Sequence, residues 1–119
     1  VFTDVKPGMV IHDTEIFGPV VVILKAKNLD EAISIVNNHR YGNGGSIYTS
    51  NGYWARRFKL ECLCGMIGIN IGIPAPVAYL PFGGMKDSQH ADIKAQGKSI
   101  VKFFTEEKII VERWWPEEG

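Results

Sequence analysis

Two cysteines, Cys62 and Cys64, stand one residue apart and are the only thiols in the chain. A catalytic thiolate is favoured at a helix N-terminus or beside a cation. Cys62 instead falls four residues after Phe58 on an apolar helical face, and Cys64 ends that helix next to Gly65. The negative end of the helix dipole opposes a thiolate there, so both read as structural cysteines. A disulfide between such near neighbours is strained, so reduced thiols and a cytoplasmic compartment are expected. C-x-C without a second pair is poor zinc spacing. His12, His39 and His90 fall in separate loops or helix ends with no ligand spacing, so surface histidines and no metal are expected. Gly42-Asn43-Gly44-Gly45 follows a helix and enters a strand, the reverse of a dinucleotide-binding glycine turn, and reads as a helix C-cap and turn. Arg56, Arg57 and Lys59 read as a solvated helix face, with a phosphate-bearing ligand as the alternative.

The elements that must position these groups alternate in type. Val1 to Val5 is a short candidate strand, ended by the turn signal Lys6-Pro7-Gly8. Val20 to Leu24 is a continuous apolar run of the kind that forms a strand buried on both faces of a parallel sheet. Asn28 with Glu31 resembles a capping box, and Leu29, Ala32, Ile33 and Val36 repeat at helical spacing, predicting a helix to about Asn38. Tyr41 to Gly45 ends it in a flexible turn. Ser46 to Thr49 is a second strand, and Ser50 or Asn51 caps a second helix with Trp54, Phe58 and Cys62 on one face. Gly65 stops that helix, and Met66 to Ile71 is a third strand. Strand, helix, strand, helix, strand is the pattern of right-handed parallel crossovers. Residues 73–84 hold three prolines and a glycine pair and read as a long ordered loop, usually a functional one. A short helix is expected over 98–105 with Ile100, Val101 and Phe104 inward. A last strand follows at Lys108 to Arg113, then Trp114-Trp115 and an acidic tail.

The 119 residues allow one domain with a modest core. The apolar share of 45% and charged share of 22% are those of an ordinary globular chain. A formal net charge of zero and the lack of a basic stripe exclude a nucleic-acid partner as the expected reading. No apolar run approaches a membrane span, and the start Val1-Phe2-Thr3-Asp4 has neither the basic nor the apolar part of a secretory signal.

Three segments carry a resemblance. Glu15-Ile16-Phe17-Gly18-Pro19-Val20, then Tyr41-Gly42 before a strand, then Pro81-Phe82-Gly83-Gly84-Met85-Lys86-Asp87-Ser88, resemble the aldehyde dehydrogenase superfamily. Gly65-Met66-Ile67-Gly68-Ile69-Asn70 and Phe104-Thr105-Glu106-Glu107-Lys108 agree with it. The segment Gln89-His90-Ala91-Asp92, the run Ile69 to Pro76 and the terminal Val111-Glu112-Arg113-Trp114 look most like the methylmalonate-semialdehyde branch, some relatives of which are non-phosphorylating glyceraldehyde-3-phosphate dehydrogenases.

The resemblance implies an α/β fold in three layers: a parallel β-α-β-α-β core of the catalytic domain over residues 1–105, with an oligomerisation strand and tail over 106–119. It implies oxidation of an aldehyde to an acid or acyl thioester with NAD or NADP. In that chemistry a cysteine attacks the aldehyde, hydride leaves to the nicotinamide, and the thioester is resolved by water or coenzyme A. The family's nucleophilic cysteine, general-base glutamate and Rossmann domain belong to polypeptide upstream of these segments, so no catalytic residue is expected here and the chain alone is expected to be inactive. What the resemblance assigns is secondary apparatus. Glu15 would bind the nicotinamide-ribose hydroxyls, as a charged acceptor is suited to do; the alternative is a loop carboxylate before a strand. Phe17 would pack beside the nicotinamide. Asn70 and Phe82 would contact the aldehyde, beyond the carboxyl ends of parallel strands; the alternative makes Phe82 a core aromatic. As a partner, a second copy of the chain is expected to pair along the open edge of Lys108 to Arg113, giving a homo-oligomer or a non-catalytic interaction module.

Overall fold

Asn28 starts its helix as its side chain predicts: Oδ1 accepts from the Glu31 N–H at 2.9 Å, while the Glu31 carboxylate accepts from the Lys27 N–H at 2.6 Å. One N–H that the first turn leaves without a partner, and that of the residue before the cap, are thereby satisfied. The computed structural model describes residues 1–116; the end of the acidic tail lies outside the described residues. A single helical turn, α1 (Val10–Asp13), stands where a loop is expected, and α2 runs Leu29–Asn38. Asn51 caps α3 (Gly52–Glu61) by accepting from the N–H groups of Tyr53 and Trp54.

α2 and α3 pack around Ile33, Phe58, Cys62 and Cys64, with Leu29, Val36, Ile47, Ile67 and Ile69 against them. Burying an apolar side chain of that size stabilises by roughly 1.5–3 kcal/mol. Arg57 of α3 also reaches Asp30 of α2 at 2.7 Å and Glu61 at 2.6 Å. Solvent screens these charges, so the apolar face, rather than the ion pairs, sets the packing. Asn37 finishes the joint, donating to the Glu61 carbonyl at 2.8 Å and accepting from the Leu63 N–H at 2.7 Å.

The described strands form two small sheets. β2 (Gly44–Ile47) and β3 (Met66–Ile69) pair in parallel, Gly44 opposite Met66 through Ile47 opposite Ile69, with α3 as their crossover. β1 (Tyr41–Gly42) and β4 (Met85–Lys86) pair antiparallel. A further short helix, α4, spans Ser99–Phe104. The architecture is therefore mixed α/β, with one parallel β-α-β unit.

Several expected elements take another form. Val20–Leu24 and Val1–Val5 meet in a single parallel bridge, Phe2 with Val22, rather than two strands. Residues 105–116 carry no ladder at all. A strand needs a neighbour to hydrogen-bond, and apolar β-branched composition does not supply one. Tyr41 to Gly45 is not a flexible turn: it is the joint of β1 and β2, and α2 has already ended at His39, whose N–H donates to the Val36 carbonyl at 3.3 Å. α4 turns Ile100 and Phe103 toward the hollow that Phe82 lines. Val101 and Phe104, expected inward, are 61% and 75% exposed.

The radius of gyration is 21.2 Å and the long axis 85 Å. A closed domain of this length would have a radius of about 13–14 Å. The core is correspondingly small: Val5 and the four residues of the helix interface are the buried apolar side chains among those described. No helix among the described residues is long and apolar enough to cross a membrane.

Gly65 marks the tightest approach. A Cβ there would lie 2.1 Å from the Gly83 carbonyl oxygen and 2.6 Å from the Gly84 Cα, both backbone atoms. Gly65→Ala is expected to lower unfolding free energy by about 1–3 kcal/mol, as overpacking does. At Gly52 an added Cβ meets nothing within 4 Å, and Gly52→Ala in α3 is expected to raise it by roughly 0.5–1 kcal/mol. Urea denaturation of both variants checks the pair; equal effects would show that the backbone contact at Gly65 is not as close as described.

Candidate functional site

The first motif segment hangs on a knot of histidines. Glu15 follows α1 by one residue, and α1 is held by His12, whose ring meets the His39 ring edge-on with centroids 4.7 Å apart. His39 Nε2 lies 3.0 Å from the His12 carbonyl oxygen, and His39 Nδ1 lies 3.1 Å from the Tyr41 backbone nitrogen. Since the Tyr41 N–H must donate, His39 Nδ1 carries the lone pair and Nε2 carries the proton donated to His12. One neutral tautomer thus ties α1, the end of α2 and β1 together.

The second motif segment is held to the same place by its Lys-Asp-Ser. The Lys86 ammonium donates to the carbonyls of Val36 at 2.9 Å, Asn37 at 3.4 Å and His39 at 2.7 Å. A cation is favoured at a helix C-terminus, where carbonyls lack intrahelical donors. Arg40 pairs with Asp87 at 2.8 Å, and the Ser88 hydroxyl accepts from the Gly42 N–H at 3.1 Å. Gly42 is required for the close passage, since a Cβ would sit 2.5 Å from the Leu63 carbonyl oxygen and 2.7 Å from Lys86 Cε. Lys86 adopts φ +56°, a left-handed conformation costing a non-glycine residue about 1–3 kcal/mol. Hydrogen bonds from a charged donor contribute about 1.5–3 kcal/mol each, enough to hold it. Gly83 and Gly84 are secured from the other side by the Lys94 ammonium at 3.1 and 2.9 Å.

Two adjoining hollows result. One, of 270 Å³, is lined by Glu15, Thr14, His39, Tyr41, Asn43 and Ser88. The other, of 320 Å³, is lined by Phe82, Gly84, Ile100 and Phe103 and again by Asn43 and Ser88. Glu15 and Phe82 therefore stand beside hollows with a shared wall. The Glu15 carboxylate has no hydrogen-bond or ionic partner among the described residues. Phe17 is 96% exposed and touches neither hollow, while Phe82 is 36% exposed. Asn70 sits apart: its Oδ1 accepts from the Thr49 N–H at 2.8 Å and its Nδ2 donates to the Thr49 carbonyl at 3.1 Å, extending the parallel ladder by a side chain.

The histidines depart from their expected separation. Although His12 and His39 are 27 positions apart, the ligand atoms of His12, Asp13 and His39 all lie within 4.8 Å of one another. The set does not fit a metal. Both His39 nitrogens are engaged, and the Asp13 carboxyl is hydrogen-bonded to His12, which holds it below the usual carboxylate range. Cys64 borders another hollow with His12 and His39, yet the occupied His39 ring has no nitrogen free to take a thiol proton. Burial, then the hydrogen bond to Cys64, pushes the Cys62 thiol up to about 12. Neither sulfur is placed as an activated nucleophile. Asn43, Ser88, His39 and Lys86 were missed as site-building residues; only the adjacency of Lys86 and Ser88 to the Gly83-Gly84 motif signalled them.

The family model for the aldehyde dehydrogenase family matches residues 1–110. The chain is 46% identical over 114 residues to malonate-semialdehyde dehydrogenase 1 of Geobacillus kaustophilus, covering 96% of this chain and 23% of that protein. Among solved structures it is similar to methylmalonate-semialdehyde dehydrogenase of Oceanimonas doudoroffii, with a TM-score of 0.90, 41% identity, and coverage of 94% of this chain and 23% of that one. It is similar also to an aldehyde dehydrogenase of Mycobacterium tuberculosis complexed with NAD+, with a TM-score of 0.77, 33% identity, and coverage of 89% and 21%. The chain thus spans under a quarter of the length of these relatives.

Lys86→Met keeps the stem and removes the helix-end donor. It is expected to lower unfolding free energy by about 1.5–3 kcal/mol, whereas Lys102→Met on the exposed face of α4 is expected to change it little. Urea midpoints of the two variants decide the matter, and indistinguishable values would remove Lys86 from its supporting role.

Proposed function

The chain belongs to the aldehyde dehydrogenase family, and we propose that it forms one wall of an NAD(P)-dependent aldehyde-oxidising crevice, with a short-chain semialdehyde acid as the substrate class. The observation that carries this is the pair of adjoining hollows, one bordered by Glu15 and the other by Phe82, with Asn43 and Ser88 common to both. In this reading Glu15 accepts from the nicotinamide-ribose hydroxyls, an arrangement supported by its free carboxylate. Phe17, bare in this chain, packs beside the nicotinamide ring. Phe82 shapes the aldehyde side, and Asn70 holds the loop after β3 that borders it. The nicotinamide, NAD or NADP, supplies the hydride acceptor when bound.

Cys62 and Cys64 are left out of the chemistry in this reading. The nucleophilic cysteine, the general-base glutamate and the nucleotide-binding Rossmann domain come from polypeptide outside these 119 residues. Residues 1–105 belong to the three-layer catalytic core and 106–119 to an oligomerisation strand and tail, in a protein of the cytoplasm. Malonate- and methylmalonate-semialdehyde dehydrogenases among the relatives support the substrate class.

The 119-residue chain, mixed with NAD or NADP and malonate or methylmalonate semialdehyde, is expected to form no reduced cofactor. By calorimetric titration it should bind the cofactor no tighter than millimolar, about 4 kcal/mol of standard free energy, because Glu15 and Phe17 touch one end of it. Turnover above the protein-free blank would overturn the assignment of the chemistry to other polypeptide.

A second reading, a non-catalytic interaction module, is favoured by one observation. Residues 105–116 carry no ladder, and Ile109, Val111 and Trp114 are 86%, 92% and 84% exposed. An unpaired apolar edge of this kind recruits another strand. Light scattering at micromolar concentration is expected to show a homo-oligomer, and Ile109→Lys with Val111→Lys to shift it toward monomer. A monodisperse monomer of the unaltered chain would remove this reading.

A further inference from the structure

Glu15 reaches its hollow at the end of a segment with few ties. Among the described residues, those from Lys6 to Phe17 make one hydrogen bond, and no ion pair, to anything outside residues 6–18. In it His39 Nε2 donates to the His12 carbonyl at 3.0 Å. Beside that bond the two imidazoles meet edge-on, centroids 4.7 Å apart, with the His12 side chain 9% exposed. The His39 ring also accepts the Tyr41 N–H at Nδ1, 3.1 Å away. A ring that donates at Nε2 and accepts at Nδ1 is neutral, with its one proton on Nε2.

We propose that His39 is a positioning residue for Glu15, a latch that holds α1 against β1 while its ring is neutral and releases it when the ring takes a proton. The inference rests on the reading of Glu15 as a cofactor ligand, and makes the placement of that ligand depend on pH. A charged imidazole carries N–H at both nitrogens. Nδ1–H would then stand against the Tyr41 N–H across 3.1 Å, donor against donor. The ring must turn to escape, and turning withdraws Nε2 from the His12 carbonyl. The titratable groups bordering His39 are His12 and Asp13 of α1, Glu15, Glu31 of α2, Arg40, Tyr41, Cys64, and Lys86 of β4, whose ammonium binds the His39 carbonyl at 2.7 Å. Several are engaged: Arg40 with Asp87, Glu31 with the Lys27 N–H, and Asp13 with His12. An Asp13 carboxylate oxygen lies within 4.8 Å of a His39 ring nitrogen and attracts a charged ring. That attraction does not remove the clash of two donors at Tyr41, and the Lys86 charge opposes it. Imidazoles ordinarily take a proton near about pH 6.5, so release belongs to the mildly acidic range. Asp13 stays ionised there, since His12 holds its carboxyl below the usual carboxylate range.

Imidazole proton–nitrogen correlation spectra of the isotope-labelled 119-residue chain, taken between about pH 8 and pH 5, test this. At the upper end the His39 nitrogens should be widely split, with the proton on Nε2, and Overhauser cross-peaks should join the His12 and His39 rings. As the two nitrogen signals converge on the charged form, those cross-peaks should vanish with the same midpoint, while Ile33–Phe58 cross-peaks persist. His12→Leu removes the neighbouring titrating ring and keeps the carbonyl, so contacts between residues 12 and 39 should still be lost as His39 titrates. His39→Gln does not titrate, so contacts between these positions should be the same at both ends of the range. Circular dichroism checks that each variant is folded, and the unaltered chain decides alone if neither is. No cofactor or aldehyde enters the measurement, so its failure leaves the aldehyde-oxidising reading standing, and turnover by the chain would sink that reading without touching the latch. The proposal is overturned by a neutral His39 with its proton on Nδ1, by His12–His39 cross-peaks that survive full protonation of His39, or by acid loss of the contact in folded His39→Gln.

Discussion

The last turn of α2 leaves carbonyl oxygens without intrahelical donors, and the Lys86 ammonium lies among them, 2.9 Å from Val36 and 2.7 Å from His39. That contact joins two segments of distant sequence. Lys86 is paired with Tyr41 in a two-residue ladder, and Tyr41 binds His39, which binds the carbonyl of His12 in the turn just before Glu15. Remove the ammonium and a positive-φ backbone, a short ladder and a glycine-rich passage lose what fixes them. Each is weak alone: a two-residue ladder in water has little stability of its own. The arrangement of the two hollows therefore depends on a helix end and a single cation more than on a deep core.

The core is indeed small. Ile33, Phe58 and the two cysteines fill the space between the helices, while Phe17, Val111 and Trp114 are bare. Exposed apolar surface on this scale marks contact with other protein, in keeping with a family whose members are much longer than this chain. The long axis of 85 Å accords with this: residues 105–116 carry no ladder and are exposed throughout.

How legible was this in the residues alone? α2 was readable to both ends and α3 at its start, because Asn28, Glu31 and Asn51 act on N–H groups within four residues of themselves; α3 stops at Glu61, short of the end expected at Cys64 and Gly65. Parallel pairing of the strands flanking α3 was readable for a related reason, since a short helix between two apolar runs leaves few other connections. Val20–Leu24 and Lys108–Arg113 were not, because a strand is a relation between two segments and composition reports only one. The glycines at 42–45 misled in the same way: they resemble a helix stop, yet the helix ends at His39 and Gly42 is small for the sake of Lys86 and Leu63. Glu15 and Phe82 were legible only through the resemblance. Their shared neighbours Asn43 and Ser88, and the cap that Lys86 makes on α2, are long-range and left no periodic trace. Asn70 shows a further limit, since its side-chain amide completes a ladder with Thr49 whether or not it also meets a ligand.

The Glu15 and Pro81–Ser88 segments border adjoining hollows that share Asn43 and Ser88. Nuclear Overhauser contacts in the isotope-labelled chain measure this directly. The account predicts cross-peaks from Asn43 and Ser88 to both Glu15 and Phe82, alongside those between Ile33 and Phe58 that report the helix pair. A spectrum with the Ile33–Phe58 contacts intact and no contact from Asn43 or Ser88 to Glu15 would contradict it.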